Sequence, residues 1–117
     1  MKVAIVGSRD YTDLQAVWNF VERLASRRPD AIIISGGARG VDTMAACAGR
    51  FFGLEVIELE PEWARLGKAA GHARNSDIVA AADILIAFWD GTSTGTKDSI
   101  DKARQKGIKV KVFEPGR

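Results

Sequence analysis

The sequence has little of several residue types on which common functional sites depend. It contains one cysteine and one histidine in 117 residues. That excludes an internal disulfide and gives no Cys/His cluster with metal-ligand spacing. No apolar run approaches the roughly 20 residues of a membrane helix, and the N-terminus lacks the long apolar region and cleavage site of a secretory signal. We therefore expect a reduced, cytoplasmic protein with no membrane span, no metal and no cofactor.

An excess of charge of one sign is also absent. The 17 Lys and Arg residues against 15 Asp and Glu leave a net charge of +2, and the basic residues are scattered. Binding of duplex DNA usually requires a basic face, so nucleic acid stays open as a partner but is not favoured. A small anionic ligand needs only two or three well-placed cations. The lone Cys47 lies among small apolar residues, and we expect it to be a buried hydrophobic side chain rather than a nucleophile.

Strand-like and helix-like segments alternate along the whole chain. Helices are predicted over 13–27, 41–52, 68–82 and 96–106, and strands over 2–6, 31–35, 54–59, 84–88 and 108–113. Thr12 and Gln15 have the spacing of a capping box for the first helix, whose Trp18 is predicted to lie in the core. Right-handed crossovers convert this order into a parallel sheet. The prediction is an α/β fold: one Rossmann-like three-layer domain over 1–117, with a parallel five-stranded sheet and helices on both faces.

Glycine, hydroxyl and arginine residues are concentrated in the strand-to-helix loops, which all emerge at one edge of a parallel sheet. Glycines let the backbone approach an anion, helix N-termini supply unpaired N–H groups, and arginines bind phosphate in a bidentate manner. We therefore predict a phosphate-binding site at this edge. Its candidate residues are Gly7, Ser8, Arg9, Ser35, Gly36, Gly37, Ala38, Arg39, Gly40, Asp42, Trp63, Gly71, Arg74, Asn75, Asp90, Gly91, Ser93, Thr94, Gly95 and Thr96.

Two segments allow more than one interpretation. Positions 71, 74, 75 and 78 share one helix face, whereas His72 lies off it and is predicted to be a surface residue. An alternative for Arg74 is a structural or solvated salt bridge. Gly91 to Gly95 matches the G-x-S-x-G nucleophile elbow. That motif needs a general base, and the single histidine precedes the serine, so Ser93 is predicted to donate to phosphate instead.

Aromatic residues at the same edge could contribute stacking. Trp63 and Trp89 both lie at or beyond strand ends, where an indole can stack on a base. For Trp89, core packing is an equal alternative.

Together these motifs resemble the SLOG superfamily, which contains the DNA-processing protein DprA/Smf and the LOG nucleotide hydrolases, and within it the small YspA- and YpsA-related branch. The matching segments are Gly7 to Arg9, Ser35 to Asp42, Gly71 with Arg74 and Asn75, and Asp90 to Thr96. The resemblance implies a site for nucleotide or nucleic-acid phosphate and self-association as a dimer or tetramer.

The resemblance argues against catalysis. LOG hydrolases place a glutamate three residues after the Gly-Thr of the last glycine loop, where this sequence has Ser99. Asp98 is adjacent but faces about 100° away on a helix. Asp42 is the remaining catalytic candidate, although capping its helix or holding a ribose hydroxyl is an equal alternative.

Three functions are compatible with these residues. The favoured one is binding of a nucleotide-derived ligand by a sensor or sequestering protein that is not an enzyme. The second is N-glycosidic cleavage by a nucleotide phosphoribohydrolase, with Asp42 or Asp98 assisting and Arg74 holding phosphate. The third is single-stranded nucleic-acid binding, with Trp63 and the arginines contacting the strand.

Overall fold

The computed structural model describes residues 1–60 and 66–115 and contains a five-stranded, all-parallel sheet. The strands are β1 (Lys2–Gly7), β2 (Ile32–Ser35), β3 (Glu55–Glu58), β4 (Ile84–Phe88) and β5 (Lys109–Phe113). The helices are α1 (Leu14–Arg27), α2 (Val41–Phe51), α3 (Ala70–Ala81) and α4 (Thr94–Lys106), and a 3₁₀ turn (Gly67–Ala69) precedes α3. The strand order is β3-β2-β1-β4-β5. This confirms the predicted Rossmann-like α/β fold.

Helices cover both faces of the sheet, and each face has its own apolar cluster. On one face Val17 and Val21 of α1 pack with Ala45 of α2, and on the other Ile78 of α3 packs with Ile100 of α4. The central strands supply side chains to both clusters, which explains their continuous apolar sequences. In the part of the chain that the structure describes, no helix is long and apolar enough to cross a bilayer.

The start of α1 differs from the prediction. The capping box of Thr12 and Gln15 is wrong: Asp13 is the N-cap, and its carboxylate accepts a hydrogen bond from the Ala16 N–H at 3.1 Å. Gln15 instead donates its amide to Asn19. Aspartate and threonine both cap helices well, so Thr12 and the adjacent Asp13 were both suitable N-caps. The capping-box spacing favoured Thr12, which was the wrong residue.

The prediction of a buried Cys47 is also wrong, because its side chain is exposed. Ala45 and Ala48 occupy the buried face of α2, and Cys47 lies between them on the solvent side. Trp18 is partly buried and packs at the edge of its cluster against Phe51 and Phe52.

The last helix begins two residues earlier than predicted. Ser93 caps α4, so the helix starts at Thr94 rather than at position 96. Consequently the residues of the last glycine loop, from Thr94 to Thr96, form the first helical turn. That turn borders the candidate site.

Candidate functional site

A cavity of about 520 Å³ opens at the carboxyl edge of the sheet, where β1 and β4 lie side by side. The chain leaves β1 toward α1 on one face and leaves β4 toward α4 on the other, so the two loops diverge at this point. Ligands of doubly wound folds bind in this crevice, and the volume suits a small molecule. We call it the edge cavity. The described residues that line it are Val6, Gly7, Ser8, Arg9, Asp10, Ala38, Asp42, Gly71, His72, Arg74, Asn75, Ile78, Asp90, Thr92, Ser93, Thr94, Gly95, Thr96 and Ser99.

Ser8 joins the two diverging loops. Its side chain is buried, its Oγ accepts a hydrogen bond from the Asp90 N–H at 3.1 Å, and its hydroxyl donates to the Asp90 carboxylate. Its own N–H donates to the Phe88 carbonyl. Ser8 therefore positions the loops, and its hydroxyl is already engaged.

The β4–α4 loop is held in shape by its own side chains. The Asp90 carboxylate accepts hydrogen bonds from the N–H groups of Thr92 at 2.9 Å and Ser93 at 2.8 Å, and these bonds hold its pKa below the usual value. The Trp89 indole N–H donates to the Ser93 carbonyl at 3.0 Å, and its ring packs against the apolar cluster that contains Ile78 and Ile100. The structure therefore favours the packing interpretation of Trp89 over stacking.

The first turn of α4 exposes its backbone to the edge cavity. Thr94, Gly95 and Thr96 all line it, and a Cβ added at Gly95 would meet no atom within 4 Å. The first N–H groups of a helix have no intrahelical partner and carry a partial positive charge. An anion can therefore approach this backbone closely.

Gly36 directly follows β2 and lies in close contact with two side chains. A Cβ at this position would overlap the guanidinium of Arg74 and the carboxylate of Asp42. Arg74 extends from α3 and donates from Nη1 to the Gly36 carbonyl at 2.7 Å and from Nε to the Asn75 Oδ1 at 3.2 Å. Its side chain is 14% exposed. Arg74 thus fastens α3 to the end of β2 while still bordering the edge cavity.

Asp42 is a buried carboxyl group in the cavity wall. It is 4% exposed, accepts a hydrogen bond from the Ala38 N–H at 3.3 Å, and lies 4.0 Å from Arg74 Nη1. Burial raises its pKa to about 6, against the opposing effects of Arg74 and of the backbone N–H groups of Ala38, Gly36 and Gly7. A perturbed carboxyl group in a cleft is a candidate functional group.

A polar network extends from α3 to α4. The buried Asn75 amide donates to the Gly95 carbonyl at 3.2 Å and to Asp98 Oδ2 at 3.1 Å. The same Asp98 oxygen lies 3.2 Å from His72 Nδ1 and 2.9 Å from Lys102 Nζ. Burial acts to raise the pKa of Asp98, but hydrogen bonds from Lys102 and Asn75 and the Lys102 charge outweigh it, so the pKa is lowered. Asp98 does not line the edge cavity.

The predicted site residues divide into two groups. Those that line the cavity are Gly7, Ser8, Arg9, Ala38, Asp42, Gly71, Arg74, Asn75, Asp90, Ser93, Thr94, Gly95 and Thr96, and those that do not are Ser35, Gly36, Gly37, Arg39, Gly40 and Gly91. Ser35 is buried and donates to the Asp42 carbonyl at 3.1 Å, while Arg39 is exposed. Trp63 lies outside the described residues.

Sequence reasoning did not identify several lining residues. These are Val6, Asp10, His72, Ile78, Thr92 and Ser99. Helical spacing already places position 78 on the face of Gly71, Arg74 and Asn75, and it could also have found Ser99, which follows Thr96 by one turn. His72 is a surface residue, as predicted, with its side chain 66% exposed, but it also borders the cavity. Among the described residues, no three His, Cys, Asp or Glu side chains form a metal-binding group.

Comparison with known proteins finds a family model that matches the first half of the chain and a relative that matches nearly all of it. Residues 1–66 match the sequence model of the YAcAr family, described as the YspA, cpYpsA-related SLOG family. The gene 61 protein of Mycobacterium phage D29 is 35% identical over 119 residues, which cover 96% of this chain and 95% of that protein. These matches confirm the resemblance to SLOG proteins.

Solved structures of longer proteins share the fold. DNA processing protein A from Helicobacter pylori, described with its single-stranded DNA binding mode, is 28% identical with a TM-score of 0.78; the alignment covers 100% of this chain and 66% of that one. DprA from Streptococcus pneumoniae is 24% identical with a TM-score of 0.83, covering 99% and 50%. TM1055 is 19% identical with a TM-score of 0.73, covering 93% and 71%. The chain thus spans two thirds or less of the two DNA processing proteins. The likenesses to the Streptococcus pneumoniae protein and to TM1055 concern the fold alone.

Proposed function

We propose that this chain, which belongs to the YAcAr family of YspA- and cpYpsA-related SLOG domains, binds a nucleotide-derived, phosphate-bearing ligand in the edge cavity. The observation that carries the proposal is the first turn of α4, whose backbone is open to the cavity at Gly95. The protein then acts as a sensor of this ligand or sequesters it, and self-associates as a dimer or tetramer.

The α4 turn supplies the kinds of donor that a phosphate group requires. The N–H groups of Thr94 and Gly95 lie in the first helical turn, and the hydroxyl groups of Thr94 and Thr96 lie on the same turn. The Ser93 and Thr96 hydroxyl groups are hydrogen-bonded to each other at 3.3 Å, and either can be the donor. Backbone donors at a helix N-terminus together with hydroxyl groups form a common phosphate site.

Two arginines can complete the phosphate site. Arg9, exposed in the β1–α1 loop, and Arg74, held at the wall by Gly36, both line the cavity. A guanidinium binds phosphate oxygens through two parallel hydrogen bonds. An exposed arginine at the rim and a hydrogen-bonded one at the wall suit a ligand that enters from solvent.

Cleavage of the ligand is the second candidate function, and Asp42 favours it. A carboxyl group with a pKa of about 6 in the cavity wall can exchange a proton near neutral pH, as a general acid or base must. Asp98 is a weaker candidate, because it is ion-paired with Lys102 outside the cavity. Ser99, at the position where LOG hydrolases have glutamate, is buried at the cavity wall and offers no carboxylate.

Single-stranded nucleic acid is the third candidate source of the phosphate group. The likeness to the Helicobacter pylori protein supports it. A strand would contact the cavity rim, where Arg9 and His72 are exposed. Binding that depends steeply on salt would favour a strand, because several phosphates then release counterions together.

The test is a thermal-shift screen of nucleotides, ADP-ribose derivatives, cyclic dinucleotides and short single strands, followed by mass spectrometry of each mixture. Ligands that bind the native state raise the melting temperature. An intact stabilising ligand supports the sensor or sequestering role, and release of free base supports the hydrolase. A screen in which nothing stabilises the protein contradicts all three.

Arg9→Gln and Arg39→Gln form a matched pair for this screen. Both arginines are exposed in loops at the same edge, but Arg9 lines the cavity and Arg39 does not. We expect Arg9→Gln to weaken ligand binding by about tenfold, typical of one charge-assisted contact, and Arg39→Gln to leave it unchanged. Equal effects of the two substitutions would mean that the ligand binds outside the edge cavity.

A further inference from the structure

We infer that Asp42 determines how much negative charge the edge cavity accepts, so that the ligand carries a single phosphate group, in the diester state, rather than a di- or triphosphate. This inference rests on the proposed function and makes its ligand class more specific. It depends on the charges that line the cavity and on the position of Asp42 beside Arg74.

The described residues that line the cavity carry more acidic than basic groups. The arginines are Arg9 and Arg74, and the carboxyl groups are Asp10, Asp42 and Asp90. A polyphosphate chain is usually bound by several cations or by a metal ion. Two guanidinium groups beside three carboxyl groups do not compensate the several negative charges of a polyphosphate. They instead suit an anion of low charge, for which the α4 N-terminus supplies the main attraction.

Asp42 is already paired with the positively charged Arg74. The two side chains are 5% and 14% exposed, with 4.0 Å between Oδ2 and Nη1. Water screens charges poorly at such a position. A phosphate group that contacts Arg74 therefore places a second anion beside the same guanidinium, and each further charge on the ligand is repelled by Asp42. A diester adds one charge, whereas a triphosphate adds up to four.

Protonation provides independent support for this role. Asp42 is neutralised near pH 6 because its burial outweighs the effects of Arg74 and the backbone donors. The other charged groups that border the cavity are Arg9, Asp10, His72 and Asp90. Of these, the imidazole of His72 is replaced before the contribution of Asp42 is measured.

The experiment compares 3′,5′-cyclic AMP, AMP and ATP, which share one base and differ in charge. We expect the unaltered protein to bind cyclic AMP at least as tightly as ATP. Asp42→Asn keeps the size and an acceptor for the Ala38 N–H but removes the charge, so it should raise the affinity for ATP relative to cyclic AMP by about tenfold. Asp77→Asn, an exposed residue of α3 outside the cavity, should leave the ratio unchanged.

The possible outcomes separate this inference from the proposed function. Binding of all three nucleotides with the same preferences in the unaltered protein and in Asp42→Asn overturns the inference alone. No binding of the three nucleotides to either protein, together with no stabilisation by any ligand of the thermal-shift screen, overturns both. The dinucleotide ApA carries the same single charge as cyclic AMP within a strand, so the tighter of the two identifies a strand or a small molecule as the source of the diester.

A second measurement does not require the Asp42 variant to fold. Sulfate keeps its two charges between pH 5.5 and pH 7.5, and His72→Gln removes the imidazole at the rim. In this background the affinity for sulfate should rise by about tenfold as the pH falls, because Asp42 takes up one proton. A pH-independent affinity would overturn the inference.

Discussion

Asp42→Asn should change how the stability of the free protein depends on pH. The folded-state pKa of Asp42 is about 6, against roughly 3.9 in an unfolded chain. Between these values the folded protein binds more protons than the unfolded chain. The Asp42 contribution to the free energy of unfolding is therefore most favourable below the unfolded pKa and is lost as the pH rises through the folded pKa.

The magnitude follows from the size of the shift. Two pKa units correspond to about 3 kcal/mol at pH 7, and about half of this change falls between pH 5 and pH 8. Asp42 is 4% exposed, so little of the effect is screened by solvent. The asparagine variant has no charge to gain, and its carbonyl oxygen can still accept the Ala38 N–H. Its free energy of unfolding should therefore increase relative to the unaltered protein by about 1.5 kcal/mol between pH 5 and pH 8.

Urea denaturation at pH 5 and pH 8 measures this difference directly. Asp90 and Asp98, whose pKa values are lowered, titrate in both proteins and cancel in the comparison. Parallel pH profiles for the two proteins would refute the reasoning, because they would mean that Asp42 has the same pKa in the folded and unfolded states.

Two other substitutions test the elements that form the site and the fold. Gly95→Ala should raise the free energy of unfolding by about 0.5–1 kcal/mol, since alanine favours a helix. The added methyl group should also abolish ligand-induced stabilisation in the thermal-shift assay. Retained stabilisation would mean that the ligand does not approach this turn. Asp13→Ala should lower the free energy of unfolding by about 1 kcal/mol through loss of the N-cap, whereas Thr12→Ala should change it little. The reverse order in urea denaturation would restore Thr12 as the cap.

The fold was predictable because the alternation of apolar segments and loops is a local property of the chain. The continuous apolar sequences of β1, β2 and β4 indicated strands covered on both faces, and the loops at one edge indicated where a ligand binds. The strand order was not predictable from such patterns, since it depends on which strands pair across long separations. The position of β4 beside β1, which creates the cavity, became visible only in the structure.

The composition of the site was predictable in part, but its internal contacts were not. Arg74 reaches Gly36 across 38 residues, and Ser8 meets Asp90 across 82. Neither pairing leaves a local signal in the sequence. The burial of Asp42 likewise depends on Arg74 and Gly36, which pack around it in three dimensions. Cys47 shows the converse, because its apolar neighbours indicated burial while the orientation of α2 exposes it.

The bond between Ser8 and Asp90 connects loops that lead to opposite faces of the sheet. Asp90 also fixes the loop that ends at the first turn of α4, while the Ser8 carbonyl accepts a hydrogen bond from Tyr11 just before α1. These hydrogen bonds connect the start of α4 to the segment that enters α1. Through this connection, ligand binding in the edge cavity can affect α1 on the opposite face of the sheet, although α1 does not contact the ligand.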